Sequence, residues 1–141
     1  MQIFPESLAE AFLRVSRQLR RETQRRTTPL GLNPHQARAL RVVGEAGPLR
    51  PSELAARLGI MARSATDSVS GLVSAGFVER RLDPADGRAH LLALSPSGSA
   101  ALAEATRIRA EVAEAFFGRL EPSDQSDLAR ILARLDVSAD L

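Results

Sequence analysis

Residues 72–98 read LVSAGFVERRLDPADGRAHLLALSPSG, and the class of fold follows from them. Two runs of strand-forming residues, 77–82 and 89–94, flank a segment rich in turn formers, 83–88. Such runs on either side of turn residues predict a β-hairpin with a longer loop. Helical patterns precede and follow this segment, so we expect a mainly α protein with one small β-hairpin, an α+β class.

Upstream of the hairpin, a helix has a clear start signal in LNPHQARALRVV, residues 32–43. Asn33 can accept hydrogen bonds from the free N–H groups of the first turn, and Pro34 suits the first helical position. Gln36 lies three residues after the cap and can return a hydrogen bond to it. The sequence therefore predicts a capped helix from Pro34 to a stop at Gly47.

Two shorter helical patterns stand between that helix and the hairpin. The first begins at Pro51 and is ended by Gly59, a residue that accepts left-handed backbone, and the second covers residues 62–75. Two short helices joined by a tight turn and followed at once by a hairpin predict a winged helix-turn-helix. In that arrangement the second short helix enters the DNA major groove, and the hairpin can place an arginine on the DNA backbone or in the minor groove.

Longer helices are predicted at both ends of the chain. Residues 5–26 carry an apolar stripe at helical spacing and many arginines. Ser95 and Pro96 provide a cap and a first position for a helix that ends at Gly118, and a last helix begins near Pro122.

Composition limits the chemistry that the chain can carry. Its 141 residues fit one domain, and they include no cysteine and only two histidines. Disulfides, thiolate ligands and cysteine nucleophiles are therefore excluded, and a histidine-built metal site is not expected. No apolar run approaches the ~20 residues of a membrane span, and the first ten residues lack the order of a signal peptide, so we expect a cytoplasmic protein.

The charge of the chain is unevenly distributed. Its pI is about 10.7 although the formal net charge is only +2, because every basic residue is arginine and no lysine titrates below it. Residues 1–91 hold 14 arginines against 9 acids, whereas residues 92–141 hold 5 against 8. A basic front and an acidic back indicate different partners for the two parts. Within residues 50–88 the balance is nearly even, with 6 arginines and 5 acids.

The segment from residue 31 to residue 105 resembles the MarR family of winged helix-turn-helix transcriptional regulators. The resemblance is carried by LNPHQARALRVV, by LRPSELAARLGI at residues 49–60, and by the hairpin stretch quoted above, with its Asp86-Gly87-Arg88 wing signature. It implies a sequence-specific regulator, most often a repressor, that binds palindromic operator DNA as a homodimer. It also implies a single MarR-like domain over residues 1–141, with these parts: dimerisation helices in 1–26 and 96–141, a winged helix-turn-helix in 33–94, a recognition helix in 62–75 and a wing in 83–88.

The resemblance also implies which residues contact DNA. These are polar residues of the recognition helix and of the wing: Arg63, Ser64, Thr66, Asp67, Ser70, Arg80, Asp86 and Arg88. An arginine such as Arg63 can bind guanine edges, and Asp67 can accept a hydrogen bond from cytosine N4. Alternatively, Arg63 and Asp67 form an ion pair one turn apart, and Asp86 forms one with Arg88 that stiffens the hairpin.

Four residues of the recognition segment depart from the usual family pattern, among them Ser68, which stands where an apolar residue is usual. Met61 stands where a serine or threonine normally caps the helix, a loss of ~1 kcal/mol unless another group replaces the cap. Asp67 stands where a basic residue is common, and Gly71 where a polar one is usual. These departures keep open a second hypothesis, a winged-helix module for protein interaction or dimerisation with weak or lost DNA binding.

Many members of the family bind small aromatic or phenolic acids between their dimerisation and DNA-binding regions. By position, the residues expected to line such an effector pocket are Phe12, Arg17, His35 and Arg38, with core packing or solvation as the alternative for each. A third function class, a small enzyme, has no support. No glycine-rich phosphate loop, no serine–histidine pair and no carboxylate–histidine group is found, and we expect no cofactor and no metal.

Overall fold

The computed structural model describes residues 5–138. Its helices are α1 (Pro5–Thr27), α2 (Pro34–Ala46), α3 (Pro51–Leu58), α4 (Ala62–Ser74), α5 (Pro96–Phe117) and α6 (Pro122–Leu135). Strands β1 (Val78–Asp83) and β2 (Asp86–Leu94) form one antiparallel hairpin between α4 and α5, and a short 3-10 turn follows α1. The predicted fold class, mainly α with a small β-hairpin in a winged helix-turn-helix, is confirmed.

Helix boundaries follow the predicted caps closely. Asn33 Oδ1 accepts a hydrogen bond from the backbone N of Gln36 at 2.8 Å, and Gln36 Oε1 accepts one from the backbone N of Asn33 at 3.1 Å. Gly59 ends α3 with a left-handed φ of 64°. The predicted ends of α1 and α4 each differ by one residue from the structure, within the usual fraying of helix termini.

The hairpin loop is shorter than the sequence predicts. Only Pro84 and Ala85 lie between the strands, because Asp83 Oδ1 accepts a hydrogen bond from the backbone N of Ala85 at 2.9 Å and tightens the turn. The register then jumps, since Leu82 pairs with His90 whereas Asp83 pairs with Asp86. The extra residues of β2 form a bulge at the wing, where bulges commonly redirect a strand.

The core lies where α2, α3 and α4 meet the base of the hairpin. Its largest fully buried side chains are Leu40, Val43, Leu49, Leu54, Leu72 and Leu92. Leu49 and Leu92 also exchange backbone hydrogen bonds of 3.1 and 2.8 Å, so the segment between α2 and α3 adds a bridge to β2. The wing is therefore held by backbone pairing as well as by apolar packing.

Candidate nucleic-acid interface

Helix α4 turns its apolar residues inward and its polar residues outward. Ala65, Val69 and Leu72 are buried in the core. The predicted reading residues all lie on the exposed side, namely Arg63, Ser64, Thr66, Asp67 and Ser70. The 3.6-residue period of a helix accounts for this division, because the buried positions recur at spacings of four and three.

The start of α4 has no side-chain cap. Met61 occupies the cap position, 78% exposed, and its side chain accepts no hydrogen bond, as the sequence predicts. The hydroxyl of Thr66 donates to the backbone oxygen of Ala62 at 2.9 Å, inside the helix. Among the ion pairs of residues 5–138, none joins Arg63 to Asp67. The alternative of an ion pair along the helix is therefore not formed, and both charged groups remain available to solvent or to a ligand.

The wing uses Asp86 to shape its backbone. Asp86 Oδ1 accepts a hydrogen bond from the backbone N of Arg88 at 3.1 Å, and no ion pair between the two side chains is formed in the described part of the chain. The guanidinium of Arg88 is thus left without a carboxylate partner, at an exposed position. Arg80 is likewise exposed, whereas its neighbour Arg81 pairs with Glu79 at 3.2 Å.

A side-chain clamp joins the wing to the start of α3. Arg50 Nη2 donates to Asp83 Oδ2 at 3.0 Å, and the Asp83 side chain is only 11% exposed. The backbone hydrogen bond from Ala85 and then the Arg50 guanidinium lower the pKa of Asp83. The sequence interpretation missed this clamp, because Arg50 and Asp83 are 33 residues apart in the chain. Each lies beside a predicted turn, where a charged residue is not unusual.

A second junction fixes the C-terminal end of α4 to the first turn of α5. The backbone oxygen of Gly76 accepts hydrogen bonds from the hydroxyls of Ser95 and Ser97, the latter at 2.8 Å. Ser95 Oγ also accepts from the backbone N of Gly98 at 3.0 Å, which caps α5. A Cβ at Gly98 would lie 1.9 Å from the backbone oxygen of Phe77, so only glycine permits this close approach.

A cavity of about 470 Å³ lies between α1, α2 and α5. Of the predicted effector residues, only Arg38 lines it. Phe12, Arg17 and His35 are exposed residues outside the lining, so the structure does not bring the predicted set together. Each helix contributes one face: Leu19, Arg20, Thr23, Gln24 and Thr27 from α1, Pro34, Ala37, Arg38 and Arg41 from α2, and Leu102, Ala105, Thr106 and Arg109 from α5.

Arginine side chains from all three helices supply the charge around the cavity, while most of its exposed lining surface is apolar. Arg20, Arg38, Arg41 and Arg109 line it, and none of them has a carboxylate within 4.0 Å among residues 5–138. The pKa of Arg109 is lowered, first by burial and then by repulsion from Arg41, while attraction from Glu45 acts in the opposite direction. A cavity of this kind can bind an anion without displacing an internal partner.

Comparisons with known proteins place this architecture in a family. Residues 30–89 match the model of the MarR family. The HTH-type transcriptional regulator MT0903.1 of Mycobacterium tuberculosis is 34% identical over 128 residues, which is 91% of this chain and 86% of the relative. The chain belongs to the MarR family of transcriptional regulators. The prediction of this family from the sequence is confirmed, and so is the prediction that the chain is not an enzyme.

Solved MarR structures share the fold along nearly the whole chain. The reduced form of Escherichia coli MarR has a TM-score of 0.82 at 24% identity, covering 96% of this chain and 98% of that one. A mutant E. coli MarR complexed with operator DNA has a TM-score of 0.78 at 23% identity, covering 96% and 99%. This likeness supports the winged-helix assignment.

The helices within residues 5–138 include none that is both long and apolar enough to cross a membrane.

The MarR-like chain leaves large apolar side chains exposed on its terminal helices. On α1 these are Leu8, Phe12, Leu13 and Val15, between 44% and 64% exposed. On and just after α6 they are Ile131, Leu132, Leu135 and Val137, between 36% and 75% exposed. None of the residues of α6 is buried within the described chain. A helix with an apolar face and no buried residue has not found its packing partner within the described chain.

Proposed function

We propose that the chain is a homodimeric, sequence-specific DNA-binding repressor that binds palindromic operator DNA and is released by a small ligand. The observation that carries the DNA-binding part is the free guanidinium of Arg88, held at the wing by the hydrogen bond between its own backbone and Asp86. The exposed polar face of α4 supplies the groups that contact bases. That a related MarR is solved in complex with operator DNA supports this reading of the same architecture.

Recognition would divide between the helix and the wing. Helix α4 enters the major groove, where Arg63 binds guanine edges and Asp67 accepts from cytosine N4. Arg88 and Arg80 contact the phosphate backbone or the minor groove from the hairpin. Because Thr66 already donates its hydroxyl proton to Ala62, its role is as a hydrogen-bond acceptor.

Dimerisation would use the exposed apolar faces of α1 and α6. A second copy of the chain is the natural occupant, because a two-fold dimer offers both sets of apolar side chains to each other and places two α4 helices about one DNA turn apart. In this division residues 1–26 and 96–141 form the dimerisation region and residues 33–94 the DNA-binding region.

Sedimentation or light scattering tests the dimer. Leu135→Glu places a charge on the 68%-exposed leucine of α6 and should convert a dimer into monomers at micromolar concentration. Ser126→Glu, nine residues earlier and on the opposite face of α6 from Leu135, should leave the dimer intact. A wild-type monomer, or equal behaviour of the two variants, would contradict the interface.

A salt-dependent binding titration tests DNA recognition, with duplexes from the DNA flanking its own gene. Arg88→Ala should weaken binding by about tenfold or more and reduce the salt slope by about one, as expected for a lost arginine contact. Arg25→Ala is the control, because Arg25 lies on α1, paired with Glu22 at 2.8 Å. If the wild-type protein binds no such duplex at low salt, the alternative is supported instead, namely a winged-helix module for protein interaction or dimerisation. The uncapped Met61 and Asp67 favour that alternative.

Release by a ligand would act through α5. This helix is fixed at its first turn to Gly76, at the end of α4, and lines the cavity from Leu102 to Arg109. A ligand that pulls α1, α2 and α5 together would therefore shift the recognition helices relative to each other, and only differential binding to the two arrangements moves the equilibrium. A small aromatic or phenolic acid as that ligand stays a prediction from the family resemblance.

A further inference from the structure

We propose that the cavity between α1, α2 and α5 binds a compact polyanion, a molecule with two or more negative groups on a short skeleton. This inference deepens the proposed function, since it takes this cavity as the effector site. It departs from the aromatic or phenolic acid that the family resemblance implies, and it rests on the side chains that line the cavity in this chain.

The first argument is the number of positive charges. Four arginines from three helices line one cavity, and no carboxylate lies within 4.0 Å of any of them in residues 5–138. Arg41 and Arg109 repel each other, and that repulsion opposes the charge of Arg109. A single negative group can form a bidentate pair with one guanidinium and leaves the others uncompensated, whereas two or three negative groups compensate the set.

The second argument is the hydrogen-bonding character of the lining. Each guanidinium carries five N–H donors and no acceptor, and the other polar lining groups are the side chains of Thr23, Gln24, Thr27 and Thr106. Among the polar groups of the lining, donors therefore outnumber acceptors and no carboxylic acid is present, although most of the exposed lining surface is apolar. The complementary ligand is one that is mainly acceptor, as carboxylate and phosphate groups are.

The third argument concerns the apolar part of the lining. It consists of the aliphatic side chains of Leu19, Pro34, Ala37, Leu102 and Ala105, with no aromatic ring among the lining residues that the structure describes. An aromatic ligand would find no ring to stack on, whereas a short aliphatic skeleton needs none. The volume of about 470 Å³ lies in the range of small-molecule sites.

Isothermal titration calorimetry on the full chain tests the inference, with citrate, inorganic phosphate and 4-hydroxybenzoate as probes at matched ionic strength. We expect citrate or phosphate to bind at least tenfold more tightly than 4-hydroxybenzoate. Arg41→Gln and Arg109→Gln should each weaken polyanion binding by about tenfold, the effect of losing one charge-assisted contact. Arg107→Gln is the matched control, because Arg107 lies two residues away on α5 and is bound by Glu104 and Glu111.

The outcomes separate the ligand class from the proposed regulation. Tighter binding of 4-hydroxybenzoate, equal loss in Arg107→Gln and Arg109→Gln, or no binding of either polyanion would overturn the inference. DNA release is measured separately, by adding the same probes to a preformed complex of the protein with a duplex. Polyanion binding without DNA release would support the ligand class and contradict the proposed release, and circular dichroism of each variant excludes unfolding as the cause.

Discussion

The reading surface, defined as α4 and the hairpin, and the cavity between α1, α2 and α5 hold their arginines in different ways. At the reading surface Arg81 pairs with Glu79, and Asp86 shapes the backbone of Arg88, while the guanidinium groups of Arg63, Arg80 and Arg88 are exposed and separate, with no carboxylate within 4.0 Å in the described part of the chain. In the cavity, four arginines lie together without a carboxylate within 4.0 Å among residues 5–138. The arginines without a carboxylate are therefore spread over an exposed helix and hairpin at the reading surface, whereas in the cavity they line one space.

This difference changes how the high pI is interpreted. A pI of about 10.7 in an all-arginine protein is not a measure of DNA affinity, because residues 50–88 hold 6 arginines against 5 acids. At the reading surface, Asp86 positions the backbone of Arg88. DNA binding then depends on where individual arginines are placed, whereas anion binding in the cavity depends on how many arginines line it.

The largest expected effect lies at the junction that joins the two regions. Gly98→Ala places a Cβ 1.9 Å from the backbone oxygen of Phe77, which cannot move as a side chain can, so the free energy of unfolding should fall by about 3 kcal/mol. Urea denaturation measures it. Gly87→Ala, in the wing with no heavy atom within 4 Å, should change it by no more than about 0.5 kcal/mol. Equal stability of the two variants would contradict the close contact between Gly98 and Phe77 at this junction.

Much of the reading surface could be predicted from the sequence. The helix starts and stops, the buried face of α4 and the exposure of its polar residues follow from local caps and from helical periodicity, which act over a few residues. The hairpin was predicted with too long a loop, because the hydrogen bonds from Ala85 to Asp83 and from Arg88 to Asp86 tighten it in a way that residue types alone do not specify.

The cavity could be predicted only in part, because three helices distant in the chain form it. Arg38 was predicted, whereas Arg20, Arg41 and Arg109 were missed. A signal was present, since Arg38 and Arg41 share a face of α2, and Arg109 follows Leu102 at a two-turn spacing on α5. Which faces of the three helices meet depends on how the helices pack. At Gly44, α2 approaches α5 so closely that an added Cβ would lie 2.4 Å from Leu102 Cδ2.

A smaller effect is expected at the clamp between Arg50 and Asp83. Arg50→Ala should weaken DNA binding by about threefold with an unchanged salt slope, whereas loss of a phosphate contact would reduce the slope by about one. Asp83→Asn gives the sharper test, since it keeps an acceptor for Ala85 and removes a negative charge. If the clamp positions the wing, this variant also binds DNA more weakly, although charge alone predicts tighter binding; a gain in affinity would show that the clamp has no such role.

The clamp should also be insensitive to pH in the range in which DNA binding is measured. Because the pKa of Asp83 is lowered in the folded chain, its contribution is present above the unfolded value of about 3.9 and is lost only as the pH falls through the lower folded value. The ratio of DNA affinities between wild type and Arg50→Ala should therefore be constant between about pH 5 and pH 8. A ratio that falls toward one within that window would contradict the assignment.

The smallest expected effect compares two arginines of α5 that differ only in their surroundings. Hydrogen bonding to Glu104 and attraction from Glu104 and Glu111 raise the pKa of Arg107, whereas burial and Arg41 lower that of Arg109. Near pH 7 both are charged, so the charge stabilises the folded chain at Arg107 and opposes it at Arg109. Arg107→Gln should lower Tm by about 2 °C and Arg109→Gln should raise it by about 1 °C, in calorimetry at low salt. High salt should shrink both shifts, because these positions are exposed to the counterions of the solvent. Shifts of the same sign would contradict the assignment of Arg109 as a cavity arginine whose charge is not compensated.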